Sequence, residues 1–285
     1  MNKTNQYFPE HPCDLRCLPE DEDEVEEVGE VRFLLRRLVM RALYPAGWCA
    51  GVLGAALPRS AGAALFRWWA RAWLAASGVR VRISGELGSD PVLLIANHVS
   101  YFDALVFVAG RPCTITAAHD MRADRFLGRF LSAAGTIYLE RDRLSALRRF
   151  VGEVAEELRS GRSVVAFPEG RIRCSAPGGA FAPTVLQAAV DAGVPVRPVL
   201  LWCERPDGRP TSRLSWLGDE GLHDSLRRVQ RMRGAAVRVQ VLPDLDPGLG
   251  RAELARRADA ALAEAGAHLP ETCISGPALA RGGVR

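Results

Sequence analysis

Lysine is almost absent from this chain: of its 37 basic residues only Lys3 is not an arginine. Arginine's planar, permanently charged fork suits phosphate and carboxylate recognition, and a general arginine bias of composition accounts for the count equally well. Also missing is any apolar run of the roughly 20 residues that a membrane-spanning helix needs. Ala42–Pro58 is uncharged over 17 residues but holds Pro45, Gly47, Gly51 and Gly54. The polar and then acidic start predicts no cleavable leader. The seven cysteines, at 13, 17, 49, 113, 174, 203 and 273, are odd in number and scattered. Cys13 and Cys17 have no second Cys or His pair at matching spacing, so no metal site is expected. Cys49 and Cys113 lie in apolar stretches and read as small core residues; reduced thiols in a reducing compartment are the expected state. Neither Ser100 nor Ser175 stands in a G-x-S-x-G elbow, which disfavours a serine hydrolase. There is no internal repeat.

What is present is an ordinary globular composition, 48% hydrophobic and 25% charged, in 285 residues, enough for one sizeable domain with appendages. Charge is unevenly spread. Residues 1–30 hold ten acids against two bases, a net of −8, so the remainder carries +12 of the chain's overall +4. That remainder favours anionic surfaces and anionic substrates. Its aromatics gather with apolar residues rather than on a basic face, and no nucleic-acid motif is present, so nucleic acid is not an expected partner.

The most informative stretch is Leu93-Leu94-Ile95-Ala96-Asn97-His98-Val99-Ser100-Tyr101-Phe102-Asp103. An apolar run that reads as a buried strand ends in a histidine, with a carboxylate five residues on. Histidine suits proton transfer near neutral pH, and a carboxylate on its second ring nitrogen fixes the tautomer. Positions i and i+5 diverge by about 140° on an ideal helix. The two side chains therefore meet only if His98 sits on the loop leaving the strand and Asp103 in the first turn of the next helix. Such strand-loop-helix junctions are where open α/β sheets place their chemistry. A second reading stays open: Ser100-x-x-Asp103 before Ala104–Val108 also resembles a capping box, with Asp in place of Glu.

Three further segments bear on the choice. Gly135–Arg141 is a short strand ending in charge, and Val164–Arg171 is a strand running into Phe167-Pro168-Glu169-Gly170-Arg171. Gly193-Val194-Pro195-Val196-Arg197-Pro198-Val199 follows. In order and spacing these resemble the four blocks of the glycerolipid acyltransferase family, N-H-x4-D, an acid followed by Arg, F-P-E-G and V-P-x-x-P-V, over about residues 80–205. The chain departs from the pattern where Arg171-Ile172-Arg173-Cys174-Ser175 replaces the family's Thr-Arg-Ser after F-P-E-G, and where His119 stands near the position of a common lysine. These departures bear on the acceptor headgroup rather than on the reaction type.

The resemblance implies acyl transfer from a thioester, acyl-CoA or acyl-carrier protein as co-substrate, to the free hydroxyl of a lysophospholipid. The first-choice acceptor is 1-acylglycerol-3-phosphate, giving phosphatidic acid; another lysolipid such as lyso-ornithine lipid is the alternative. His98 and Asp103 would form the general-base dyad, and the acceptor itself attacks, so no nucleophilic Ser, metal or cofactor is required. Backbone amides at the helix start after His98 are candidates for the oxyanion. Arg141 with Arg171 or Arg173 would clamp the phosphate. Glu169 would lie in the acceptor site, and Gly170 allows the tight turn. From another class, a non-catalytic membrane-binding relative is disfavoured because both His98 and Asp103 are kept.

Along the chain, residues 1–30 read as a disordered acidic tail. Residues 31–77 read as membrane-associating helices, with Trp68, Trp69 and Trp73 beside Arg67 and Arg71, a pairing suited to the membrane-water boundary. Helix breakers inside Ala42–Pro58 suggest a hairpin dipping into one leaflet; a buried core helix is the plainer reading. Residues 78–268 alternate strands and helices, the pattern of an α/β acyltransferase domain layered around a mostly parallel sheet. Residues 205–235 are Arg-rich and weakly patterned, and residues 269–285 read as a disordered tail. Peripheral or monotopic attachment at the cytoplasmic face of the cell membrane is the expected location.

Overall fold

All four residues of β2, Leu93–Ala96, are fully buried, as an unalternating apolar run should be when both faces of a sheet are covered. The computed structural model that shows this describes residues 13, 15–18, 26–88, 90–123, 128, 131–132, 134–140, 143–174, 180–217 and 220–269. The other strands are β1 (Val79–Ser84), β3 (Thr114–Ala118), β4 (Ile137–Leu139), β5 (Val164–Ala166), β6 (Val196–Glu204) and β7 (Ala235–Val241). They form one sheet in the order β1-β7-β6-β2-β5-β3-β4. Every neighbouring pair is parallel except β6 and β7. The α/β class with a mostly parallel sheet is therefore as the alternation implies.

The helices among the described residues are α1 (Glu30–Ala56), α2 (Arg59–Ser77), α3 (Phe102–Gly110), α4 (Leu144–Arg159), α5 (Leu186–Ala192), α6 (Leu222–Arg231) and α7 (Arg251–Ala265). Helix α4 shows why they form: Ala146, Phe150, Val154 and Leu158 recur at helical spacing and are all buried against the sheet. None of these helices is long and apolar enough to cross a membrane.

Helices α1 and α2 form an antiparallel pair that belongs to the main core. Met40, Leu43, Trp69, Trp73 and Leu74 pack in the same cluster as Leu93, Leu94 and Ile95. Helix α1 runs unbroken through Pro45, where the sequence predicts an interruption. Pro45 is exposed, so its lost hydrogen bond falls on the outer face, while α2 holds the inner one. A Cβ at Gly47 would lie 2.7 Å from the Trp69 ring, whose Nε1–H donates to Leu43 O at 2.9 Å. Gly78 ends α2 with φ +76, and the guanidinium of Arg36 occupies the space a side chain would need there.

Residues 26–30, the end of the acidic N-terminal segment, are not the solvated tail that the composition suggests. Val28 is buried, and its N–H donates to Arg231 O at 2.8 Å. Glu30 meets Arg231 at 2.9 Å and Glu26 meets Arg233 at 2.8 Å. The arginines that attract these acids lie about 200 residues away in sequence, beyond the reach of a local reading. The C-terminal tail expected over 269–285 lies outside the described residues from 270 onward.

Candidate active site

Strand β2 ends at Ala96, and Asn97 continues it by a side-chain route. Asn97 Nδ2 donates to Leu201 O at 2.8 Å, and Leu201 N donates to Asn97 Oδ1 at 2.7 Å. This buried amide extends the β2–β6 ladder by one step and then releases the chain into the loop that carries His98. Helix α3 starts at once, so Asp103 sits in its first turn.

His98 Nδ1 lies 2.8 Å from Asp103 Oδ2. The same oxygen accepts the backbone N–H of Val99 at 2.7 Å and of Ser100 at 2.9 Å, and Oδ1 accepts Ser100 Oγ–H at 2.7 Å. An oxygen already taking two amide protons accepts from the ring as well, so the hydrogen on His98 sits on Nδ1 and Nε2 is left as the basic nitrogen. The dyad and capping readings of Asp103 are thus one arrangement: the carboxylate closes the helix start and orients the imidazole together. The loop amides of Val99 and Ser100 are occupied by Asp103. The oxyanion candidates are therefore the amides at the start of α3 itself, not those of the loop before it.

The F-P-E-G segment leaves β5, the immediate neighbour of β2, and so arrives at the same edge of the sheet. Phe167 stacks on the His98 ring with centroids 4.2 Å apart, leaving the histidine side chain 20% exposed. Gly170 takes φ +72, which only glycine adopts freely, and its N–H closes a turn onto Phe167 O at 3.0 Å. Arg173 N donates to His98 O at 2.8 Å, tying this turn to the histidine loop. The Glu169 side chain, 1% exposed, lies 3.7 Å from Arg173 Nε. Arg173 thus ion-pairs with the buried carboxylate, and Arg171 lies half-buried on the same turn.

Arg141, the remaining candidate, lies outside the described residues. Strand β4, which precedes it in sequence, is separated from β5 by β3. His119 follows β3 and is exposed, its ring 6.4 Å from Tyr138. Cys203 lies nearby in β6, but burial and then the Asp103 carboxylate push its thiol well above the usual range, which rules it out as a nucleophile. A cavity of about 860 Å³ lined by Arg32, Arg36, Arg71, Arg80 and Arg233 also meets Ala109 and Gly110, at the end of α3 remote from Asp103. The contribution of Asn97 escaped the reading of the sequence, since its partner is 104 residues away. Its place between a strand and the histidine was the available signal.

Residues 78–202 match the family model described as Acyltransferase. A lyso-ornithine lipid O-acyltransferase of Pseudomonas aeruginosa is 36% identical over 200 residues, covering 70% of this chain and 76% of that protein. A 1-acyl-sn-glycerol-3-phosphate acyltransferase of Neisseria meningitidis is 30% identical over 171 residues, 59% of this chain and 67% of that protein. The crystal structure of the 1-acyl-sn-glycerophosphate acyltransferase of Thermotoga maritima shares the fold, with a TM-score of 0.60 at 17% identity over 83% of this chain and 95% of that one. With the family model spanning the segment that carries His98, Asp103 and the F-P-E-G turn, and a relative 36% identical over most of its length, the chain belongs to the acyltransferase family.

Proposed function

We propose that this protein transfers a fatty acyl group from an acyl thioester to the free hydroxyl of a lysolipid, with His98 as general base. The observation that carries this reading is the fixed His98–Asp103 pair: four donors, counting the ring, hold the carboxylate and leave Nε2 basic. Nε2 takes the proton of the acceptor hydroxyl as its oxygen attacks the thioester carbonyl carbon. The tetrahedral adduct collapses, the C–S bond breaks, and the imidazolium returns the proton to the leaving thiolate, so no group on the enzyme is acylated. A positioned base of this kind contributes about 10²–10⁴-fold. Arg141 with Arg171 or Arg173 is assigned to the acceptor headgroup and Glu169 to its site, with Gly170 shaping the turn. Acyl-CoA and acyl-carrier protein are the candidate donors, and the step uses no cofactor or metal.

The acceptor implied by the four blocks is 1-acylglycerol-3-phosphate, the substrate class named for the Neisseria relative. A second acceptor has its own support: the relative named for lyso-ornithine lipid is the more similar of the two, 36% against 30% identical, and over more of its length. The altered turn Arg171–Cys174 stands where such a change of headgroup would be read.

Helix α1 supports membrane attachment as part of this reading. Phe33, Arg36, Met40, Leu43 and Ala50 face the core, while Val31, Leu34, Leu35, Leu38, Trp48 and Leu53 are exposed. An apolar outer face flanked by Arg32, Arg37 and Arg41 fits a helix lying in the interface, on the cytoplasmic side where acyl thioesters are found.

The test is purified protein in mixed micelles with oleoyl-CoA or acyl-carrier-protein donors and a panel of lysolipids, following thiol release and labelled product. Acylation of 1-acylglycerol-3-phosphate supports the first reading, and preference for lyso-ornithine lipid the second. If no acceptor is acylated from either donor, or His98→Ala matches wild type, the proposed reaction is wrong.

A further inference from the structure

Three cysteines that the reaction does not use meet in one place. Cys13, Cys17 and Cys174 are 1%, 0% and 3% exposed. Their Sγ atoms all lie within 4.8 Å of one another. Together with Leu217, and Leu18 against its edge, they form a small cluster separate from the main core. Cys13 and Cys17 stand at C-x3-C spacing, with Cys17 ending the single 3-10 turn Leu15–Cys17. Cys174 comes from the turn after F-P-E-G, roughly 150 residues later.

We propose that these three thiolates bind a zinc ion as a structural site joining the N-terminal segment to the F-P-E-G turn. The donor set is soft sulfur, which selects zinc over magnesium or calcium. A tetrahedral site with Zn–S of about 2.3 Å places its sulfurs about 3.8 Å apart, within the span seen here, and C-x3-C is an ordinary ligand spacing for it. The backbone N–H of Cys174 donates to Cys13 Sγ at 3.4 Å, the kind of outer contact that steadies a ligating thiolate. Each thiol releases one proton to solvent on ligation, and the three sulfurs fill three of the ion's four tetrahedral positions.

The segment's composition calls for such a link. Its acidic composition offers little apolar surface to bury, and at the turn Leu15–Cys17 Ser212 Oγ–H donates to Cys17 O at 2.7 Å. Zinc closing this long loop would add free energy to such contacts. It would also brace the catalytic loops, because Cys174 directly follows Arg173, whose N–H holds His98 O. The ion takes no part in the transfer, so the proposal stands apart from the assigned reaction.

The test is elemental analysis of the full chain purified without chelators, with cobalt substitution of metal-stripped protein. The expected result is one zinc per chain, with thiolate-to-cobalt charge transfer and tetrahedral visible bands after substitution. Cys13→Ser, Cys17→Ser and Cys174→Ser should each lower zinc content severalfold and speed hydrogen exchange at the Arg173 amide, while Cys49→Ser retains both. Wild-type protein that stays metal-free and spectrally silent with zinc and cobalt offered overturns the proposal, whatever the variants do. So does a disulfide among the three found by non-reducing peptide mapping, or equal zinc loss in Cys49→Ser.

Discussion

Asp103 does with one carboxylate what a capping side chain and an orienting carboxylate do separately elsewhere. Asp103→Asn is therefore expected to lower kcat by about 10³-fold or more, because an amide nitrogen cannot accept from both loop N–H groups and the ring, and the imidazole loses its tautomer. His98→Ala should cost as much, and the double variant little more than either, since the two act as a unit; independent, multiplying losses in single-turnover assays would refute the pairing. Asn97 makes a purely structural case. Asn97→Ala leaves the buried N–H and C=O of Leu201 without their partner, so stability should fall by about 2 kcal/mol in denaturant titration. An unchanged midpoint would mean that the ladder extension contributes nothing. Asp259 adds a pH dependence. Burial raises its carboxyl above the ordinary range despite the N–H of Phe181 that it accepts. The folded state thus holds that proton more tightly, and stability declines as pH rises from the unfolded aspartate pKa through the folded one. Asp259→Asn, which keeps the acceptor, should gain on wild type near neutrality and lose that gain in acid; a pH-independent difference in melting temperature would contradict this.

Among the elements, α1 carries the strongest expectation. Leu34 and Leu38, 59% and 64% exposed, lie one turn apart on its outer face. Each is worth about 1.5–3 kcal/mol when buried in an apolar medium. Leu34→Glu with Leu38→Glu should weaken co-sedimentation with anionic vesicles by about 10²-fold or more and leave turnover of a dispersed short-chain acceptor unchanged. Undiminished co-sedimentation would remove α1 from the membrane contact. How far elements were legible depends on range. Helix α4 and strands β2 and β5 were plain because their patterns are local. The His98 loop was legible for the same reason, as the six residues His98–Asp103 contain both partners and the cap. Helix α6 was passed over because arginines obscure Leu222, Leu226 and Val229, although their spacing of four and three is helical. The meeting of Cys174 with Cys13 and Cys17 and the ladder step at Asn97 depend on tertiary contacts. No periodicity encodes those.

At the scale of the molecule, sheet order decides which blocks meet. Strand β2 lies between β5 and β6, so the histidine loop, the F-P-E-G turn and the fourth block become neighbours although their residues are spread over about a hundred positions. The N-terminal helices are not a detachable anchor in this arrangement. Helix α2 packs on α3, the helix that Asp103 begins, and Arg71 Nε donates to Ala109 O at 3.0 Å. Trp69, Ala70, Trp73 and Leu74 are buried in the core shared with the sheet. Removing α1 and α2 would uncover that whole face, and losing even a few buried side chains of this size, at about 2–5 kcal/mol each, exceeds the 5–15 kcal/mol by which a domain is typically stable. A chain truncated to residues 78–285 should therefore fail to give a cooperative thermal transition and should show no protection of the β2 amides in hydrogen exchange, even in detergent that mimics the membrane. Detergent separates the two roles of the hairpin: if α1 and α2 served only for attachment, the truncated chain would fold and acylate a dispersed acceptor. A cooperative transition with retained activity would make 31–77 an independent anchor; its absence would make the hairpin part of the wall that holds Asp103 in register with His98.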